Sequence, residues 1–396
     1  MGLGGWLSHV VFATVLTLAY LGALTRLRRQ DERLLRAGLV VLAAKVLFVL
    51  AFVLIWPDRI VHKDAGRYFH EMQLIAQYPW LWNPLTGHGP GYHASAKLGM
   101  SYVYGWLFWL FHVRSIAAAL MLNVFFACLT SLAVYHLTHR IGESRKLAVS
   151  AMLLSAIYPE TLYWSGRILR ENFTLLLVPC LFLSMLALFE KPTVRRSVAF
   201  ALLSVTVVAT RVQLILFVPL ILLMFLFVGR QRAWKKACYV LAFLAPICLA
   251  APFVGYLLDQ TVCNQGGQYL ACDPSFWSGK LLAGIMNLPL VLSLVPKMGH
   301  GPEGYLMLPF TVWLFAMLAM MVFRFKAVFR RRTREALLLF VPCAIYLWML
   351  AMQDAINIRY RVSVMPVLLP LGVVSCSHFW GQWKARWMTR RRSSPG

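Results

Sequence analysis

Long apolar runs recur along the whole chain and constrain its fold more than any other feature. Many run about 17–25 residues, which is the length a helix needs to cross the hydrocarbon core of a bilayer. The runs are continuous rather than alternating, which disfavours a membrane barrel of β-strands. Only 13% of the 396 residues are charged, about half the share of a soluble domain. The sequence therefore predicts an all-α polytopic membrane protein.

Eleven spans are predicted where apolar runs alternate with clusters of charge. They cover residues 6–24, 37–56, 116–137, 147–162, 172–190, 196–210, 211–228, 237–257, 305–323, 335–353 and 362–379. The first run has neither a basic leader nor a small-residue cleavage site, so no cleavable signal peptide is expected. We interpret residues 1–396 as a single transmembrane domain.

Basic residues sort to one side when the loops are threaded alternately across the membrane. Of the 39 Lys and Arg, 26 fall on one side and 12 on the other, with Lys45 inside a span. Such an excess marks the cytoplasmic side. We therefore expect a protein of the cell inner (plasma) membrane with its N-terminus outside and a basic cytoplasmic tail at 380–396. The bias accounts for the net charge of +25, and no nucleic-acid partner is expected.

This threading keeps residues 57–115 outside as a first outer loop. Its apolar stretch 98–112 is rich in aromatic residues and follows a segment of Gly, Pro and His. We expect this stretch to lie at the headgroups as a juxtamembrane helix. If it crossed the membrane instead, every later loop would change sides and the charge bias would fail.

Acidic residues are distributed in the opposite way. Nine of the fourteen lie outside: Asp58, Asp64, Glu71, Glu160, Glu171, Asp259, Asp273, Glu303 and Asp354. In the segment HKDAGRYFHEM, helical spacing puts Asp64, Arg67 and Glu71 on one face, and the segment also contains His62, Lys63 and His70. These side chains are candidates for catalysis or binding, although a solvated helix with internal ion pairs has the same composition.

Two further outer segments combine acids with arginines. In YPETLYWSGRILREN, Glu171 begins an apolar run, where it can cap the helix or bind a metal or a phosphate-linked substrate. In DAINIRYRVSVMP, Arg359 and Arg361 flank Tyr360, and Arg211 lies at another outer turn. Guanidinium groups match phosphate oxygens, but arginines at span ends also serve as snorkelling anchors.

Acids and arginines on one membrane surface are the groups that a transferase with a lipid phosphate donor needs. A carboxylate removes the proton from an acceptor hydroxyl. Cations, with or without a divalent metal such as Mg²⁺ or Mn²⁺, stabilise the departing phosphate.

Two of the eight cysteines, Cys263 and Cys272, lie in the outer loop 258–304 and enclose the segment NQGGQYLA. A structural disulfide between them is expected in an oxidising compartment. The other cysteines lie within or at the ends of spans and are expected to pack as small apolar residues.

In the order of these features, residues 37–380 resemble the GT-C superfamily of membrane glycosyltransferases. The likeness is to the family 39 branch, with the protein O-mannosyltransferases and the lipid A aminoarabinose transferase. The branch's first-loop acid is matched by Asp64 in HKDAGRYF, and its later acid by Glu171 in YPETLYWSGRILREN. TRVQLILFVPL, with Arg211, and NIRYRVSVMP are similar to its basic turn and its late R-Y-x-x-P-like element. The chain departs from the branch in its extra N-terminal span and in Lys63 and Ala65 beside Asp64.

The resemblance implies a bundle of about eleven transmembrane helices with outer juxtamembrane helices. It implies inverting transfer of a monosaccharide from a polyprenyl-phosphate donor to a lipid-linked, glycan or protein acceptor on the outer face, among membrane lipids. Asp64 would be the base or the acid that orients the acceptor, and Glu171 a second acid or metal contact. The substrate-binding set would be Lys63, Arg211, Arg359, Arg361, Tyr360, His62 and Arg67, and the metal ligands would be Glu171, His70 and Glu71.

Two other functions fit the same spans. A polysaccharide polymerase or ligase of the O-antigen type acts outside on undecaprenyl-linked glycans and relies on Arg and His without a required acid. A lipid or glycan transporter or flippase predicts ionisable residues buried in the middle of spans and internal repeats. Apart from Lys45, the predicted spans contain almost no such residue, and no repeat is evident.

Overall fold

The computed structural model describes residues 3–28, 32–61, 64–79, 99–211, 214, 217, 303–352 and 362–393. Every regular element among these residues is helical. In chain order the helices are α1 (Leu3–Arg28), α2 (Glu32–Ile55), α3 (Pro57–Ile60), α4 (Asp64–Gln77), α5 (Gly99–Leu110), α6 (Ile116–Gly142), α7 (Arg145–Ile157), α8 (Pro159–Ser165), α9 (Glu171–Glu190), α10 (Val194–Thr210), α11 (Glu303–Phe323), α12 (Phe325–Val328), α13 (Thr333–Met352) and α14 (Met365–Ser393), the last preceded by a 3₁₀ turn at Val362–Val364. The prediction of an all-α chain is confirmed for this part of the protein.

Four helices of the described ranges are long and apolar enough to cross a membrane. They are Gly5–Leu27 within α1, then α2, α6 and α9. These helices support the prediction of a membrane protein with helical spans. The count of eleven stays a prediction, because the proposed spans 211–228 and 237–257 fall almost entirely outside the described residues.

The prediction of one continuous helix over 147–162 is wrong, because the helix breaks at Tyr158. Helix α7 ends at Ile157 and Pro159 begins α8. A proline pushes the preceding residue into extended backbone, and Tyr158 has φ −62° and ψ 119°. The 13 residues of α7 extend about 20 Å, which is short of the roughly 30 Å hydrocarbon core.

The last predicted span also has a different end. Helix α14 continues through residue 379 to Ser393, so most of the expected tail at 380–396 prolongs the helix. Trp380, Trp383 and Trp387 follow one another along it, with ring centroids 5.0 and 6.5 Å apart. All three rings are exposed. Exposed Trp is typical of the membrane–water interface, where the apolar part of α14 gives way to its basic part.

Helices α6 and α9 form the centre of the bundle. Of the most apolar window in each, 67% is buried, compared with 22% in α1 and 28% in α2. Helix α6 packs against α7, α9, α14, α1 and α2, and α9 also packs against α10. Helices α1 and α2 are therefore peripheral and present most of their apolar side chains outward.

Ion pairs gather at one end of the bundle, which we name the basic end. Glu143 caps the C-terminus of α6 and has the left-handed conformation (φ 55°). It accepts a hydrogen bond from Arg332 Nε at 2.9 Å. Arg140 pairs with Glu190 at 3.3 Å, and Arg324 donates to Gln382 at 3.1 Å. The α6–α7, α9–α10 and α11–α13 connections thus lie together. Which end faces the cytoplasm remains a prediction.

The opposite end, which we name the Glu171 end, contains the segments before α4, α6 and α9. Close packing there depends on Gly166: a Cβ atom at this position would lie 2.6 and 2.7 Å from two ring atoms of Phe52. We expect Gly166→Ala to lower the free energy of unfolding by about 1–3 kcal/mol through overpacking. Gly22→Ala is the matched control, because a Cβ atom there meets nothing within 4 Å. Equal thermal unfolding of both variants in detergent would contradict this packing.

Candidate functional site at the Glu171 end

A fully buried ion pair lies where α9 begins and α10 ends. Arg211 Nη2 is 3.0 Å from Glu171 Oε1, and both side chains are 0% exposed. Arg211 Nη1 also donates to Ser363 Oγ at 2.8 Å. The pair therefore connects three segments that are far apart in sequence: the start of α9, the end of α10 and the turn before α14.

Local structure explains why the two charges can meet. Glu171 is the first residue of α9, where the helix dipole favours a carboxylate. Arg211 follows α10 in extended backbone, with φ −153° and ψ 103°. Either charge alone would be strongly disfavoured in a buried setting, so the attraction between them largely offsets their desolvation.

A polar network fixes the connection between α8 and α9. Asn123 of α6 donates through Nδ2 to the carbonyl oxygens of Arg167 (2.7 Å) and Ser165 (3.4 Å). Its Oδ1 accepts from the Tyr104 hydroxyl at 2.7 Å, and burial raises the pKa of Tyr104, so this hydroxyl stays a donor. Asn172 donates to the Arg167 carbonyl at 3.2 Å. The connection is thus bound to α6 and α9, and through Asn123 it is linked to α5.

The segment just before Asp64 lies against this connection. Arg167 Nε donates to the Arg59 carbonyl at 3.2 Å, and the Ile168 N–H donates to the Ile60 carbonyl at 3.4 Å. Arg167 is oriented by Tyr163, whose hydroxyl accepts from Nη1 at 2.9 Å. The first outer segment and the second are therefore neighbours in the fold.

Helices α4 and α5 form a pair that reaches the Arg211 region. Buried Glu71 accepts from Arg67 Nε at 3.1 Å and from Ser101 Oγ at 2.9 Å. At the start of α5, a Cβ atom on Gly99 would lie 2.7 Å from Thr210 Oγ1 and 2.9 Å from Thr210 N. Glycine is needed for this approach, which brings α5 against the residue before Arg211.

The predicted site residues of the first outer loop have different surroundings. Asp64 is exposed as the first residue of α4. Arg67 is 53% exposed and forms with Glu71 the kind of internal ion pair that the helical spacing allows. His70 is exposed while Glu71 is buried. The two adjacent residues thus point to different surroundings.

The predicted metal ligands Glu171, His70 and Glu71 are not brought together. Glu171 binds Arg211, and both carboxylate oxygens of Glu71 accept hydrogen bonds from Arg67 and Ser101. Within the described ranges, no group of three His, Cys, Asp or Glu side chains is arranged to hold a metal ion. Glu171 and Arg211, expected to serve separately as acid and phosphate ligand, instead bind each other.

Several predicted residues lie outside the described part of the chain. They are His62, Lys63, Arg359, Tyr360, Arg361 and the cysteine pair Cys263 and Cys272. Ser363, the described residue that contacts Arg211, lies two positions beyond Arg361. The late basic segment therefore leads directly to the buried ion pair.

The sequence did not lead us to predict the roles of Asn123 and Ser363, which connect the outer segments to one another. Asn123 is an isolated amide inside an apolar run, and that isolation was an available signal, because a polar group in such a run needs a partner. Ser363 carried no comparable signal. Lys45, noted as the one charge inside a span, is fully buried, and its Nζ donates to Thr161 Oγ1 at 3.2 Å, which connects α2 to α8.

Known proteins add no identification. No family model matches the chain, and a search of curated proteins finds none that is similar to it.

Proposed function

We propose that this protein is a membrane glycosyltransferase that moves a monosaccharide from a polyprenyl-phosphate donor to an acceptor hydroxyl at the Glu171 end. One observation supports this most: the buried Arg211–Glu171 pair connects the start of α9, the end of α10 and Ser363, and the segment before α4 contacts Arg167 beside it. From the charge bias we infer that this end is the extracytoplasmic one. The resemblance to the GT-C family 39 branch suggests the class of donor.

Asp64 is the residue that we assign to the acceptor. It is an exposed carboxylate at the first turn of α4, beside the segment that meets Arg167 and Ile168. An exposed carboxylate is accessible to a hydroxyl and can accept its proton as the hydroxyl oxygen attacks. In the transfer, a bond forms between this oxygen and the anomeric carbon, and the bond from that carbon to the phosphate oxygen breaks. The polyprenyl phosphate leaves with the bonding electron pair.

Glu171 and Arg211 are assigned as positioning residues. Both are fully buried and bound to each other, so neither can meet a substrate without breaking the pair. Through Ser363, Arg211 contacts the turn that follows Arg359 and Arg361, which we assign to the donor phosphate because guanidinium groups bind phosphate well. A divalent metal such as Mg²⁺ or Mn²⁺ stays part of the prediction, and the proposed roles of Asp64, Glu171 and Arg211 do not depend on it.

The test uses purified protein in proteoliposomes with a labelled sugar on polyprenyl phosphate. We expect glycosidic transfer to an acceptor, with release of polyprenyl phosphate, and no transfer from a nucleotide sugar. Movement of the intact lipid-linked sugar between leaflets without bond cleavage would instead indicate the transporter. Failure to cleave any polyprenyl-phosphate sugar would overturn the proposal.

A further inference from the structure

An apolar groove runs between α1, α2 and α6. Its volume is about 480 Å³, and its walls include Ala13, Leu16, Val49, Leu120 and Val124. Thr17 and Tyr20 are the polar exceptions apart from Cys128, and the Tyr20 hydroxyl donates to the Gly38 carbonyl at 3.3 Å. The three helices that form the groove are all long and apolar enough to cross a membrane.

The shape of the groove fits a single hydrocarbon chain. Along α6 it extends from Ile116 to Cys128, a distance of about 18 Å at the rise of an α-helix. The groove lies between helices that can cross a membrane, so the acyl chain of a surrounding lipid can enter it from the bilayer.

Basic residues flank the open mouth of the groove. Ile60 and Ile116 line it at the Glu171 end. The exposed Arg59 comes directly before Ile60, and the exposed Arg114 comes two positions before Ile116. Arg167 lies beside them through its bond to the Arg59 carbonyl. These three arginines outnumber the nearby acids Asp58 and Asp64. Arg114 and Arg167 donate to the carbonyls of Ala76 and Arg59, so the exposed Arg59 is the cation that we assign to an anionic headgroup.

We propose that this groove binds one acyl chain of an anionic phospholipid, whose phosphate contacts Arg59 at the mouth. An acyl chain in the bilayer is already out of water, so its binding depends on van der Waals packing against the apolar walls and on the contact of its headgroup with Arg59. The lipid would fill the space between the peripheral helices α1 and α2 and the central helix α6. The inference does not depend on the proposed transfer reaction.

Native mass spectrometry of the full-length protein tests the site with phosphatidylglycerol and phosphatidylcholine of identical acyl chains. We expect one phosphatidylglycerol to be retained in preference to phosphatidylcholine. Ala13→Trp should remove that retained lipid, because the indole fills the groove. Ala43→Trp is the matched control, since Ala43 is exposed on α2 and does not line the groove. Ala117→Trp, on the opposite wall, repeats the test independently.

Arg59→Ala tests the contact with the lipid headgroup separately from the binding of the acyl chain. We expect the preference for phosphatidylglycerol to fall about fivefold, the effect of one basic residue near an anionic lipid surface, while one lipid is still retained. Retention that survives both Trp substitutions in the groove would overturn the proposal. Displacement of the bound lipid by polyprenyl phosphate would also overturn it, since the groove would then be a substrate site.

Discussion

Replacing Arg211 with methionine is expected to lower the free energy of unfolding by about 3–5 kcal/mol, the typical cost of breaking a buried ion pair. The reason is that the Glu171 carboxylate would stay buried after losing its guanidinium partner. Equilibrium unfolding in mixed detergent micelles measures the effect. Arg140→Met is the matched control, because the Arg140–Glu190 pair is 31% and 43% exposed and such pairs contribute about 0–1 kcal/mol.

The double variant Glu171→Leu/Arg211→Met distinguishes positioning from mere stability. Two apolar side chains of similar volume remove both buried charges, so most of the stability should return. Transfer activity should remain low, because Arg211 would no longer contact Ser363 and the segment that leads to it. An Arg211→Met variant as stable as Arg140→Met would contradict the assigned role of the pair, and so would a double variant with wild-type transfer.

Asp64→Asn is expected to reduce the rate of sugar transfer by about 10²–10⁴-fold, the usual contribution of a general base. Asparagine keeps the size of the side chain and removes the group that accepts the proton. Initial rates at saturating donor measure the loss. Asp58→Asn, at another exposed acid six residues earlier, should leave the rate unchanged.

The same pair of variants separates the transferase from its closest rival. A polymerase or ligase of the O-antigen type requires Arg and His but no acid, so it would retain activity after Asp64→Asn. Equal losses in Asp64→Asn and Asp58→Asn would show that the substitutions act through local charge rather than through a specific base.

The features that the sequence predicts well are local ones. Apolar length predicted helices at 172–190 and 305–323, and the structure begins and ends them within two residues of these bounds. The helical spacing in HKDAGRYFHEM likewise agrees with α4, where Arg67 and Glu71 form an i, i+4 ion pair. Such patterns depend on residues within one or two turns of each other.

The buried pair at the Glu171 end could not be predicted in this way. Glu171 and Arg211 are forty residues apart, and each had a sufficient local interpretation as a cap or an anchor. Their pairing depends on how α9 and α10 pack, and hydrophobic periodicity within one helix does not predict that packing. The break at Tyr158 differs, because Pro159 and Glu160 mark it in the sequence. The apolar residues on both sides of it still gave the window 147–162 the hydropathy of a span.

Photo-crosslinking tests the central claim most directly, that the substrate reacts at the Glu171 end. The probe is a polyprenyl-phosphate sugar with a diazirine on the sugar, bound to the wild-type protein in proteoliposomes and mapped by peptide mass spectrometry. We predict adducts, competed by unlabelled donor, within 57–67, 163–171 or 353–363. Competed adducts at the basic end within 324–334, or no competed adduct anywhere, would contradict it.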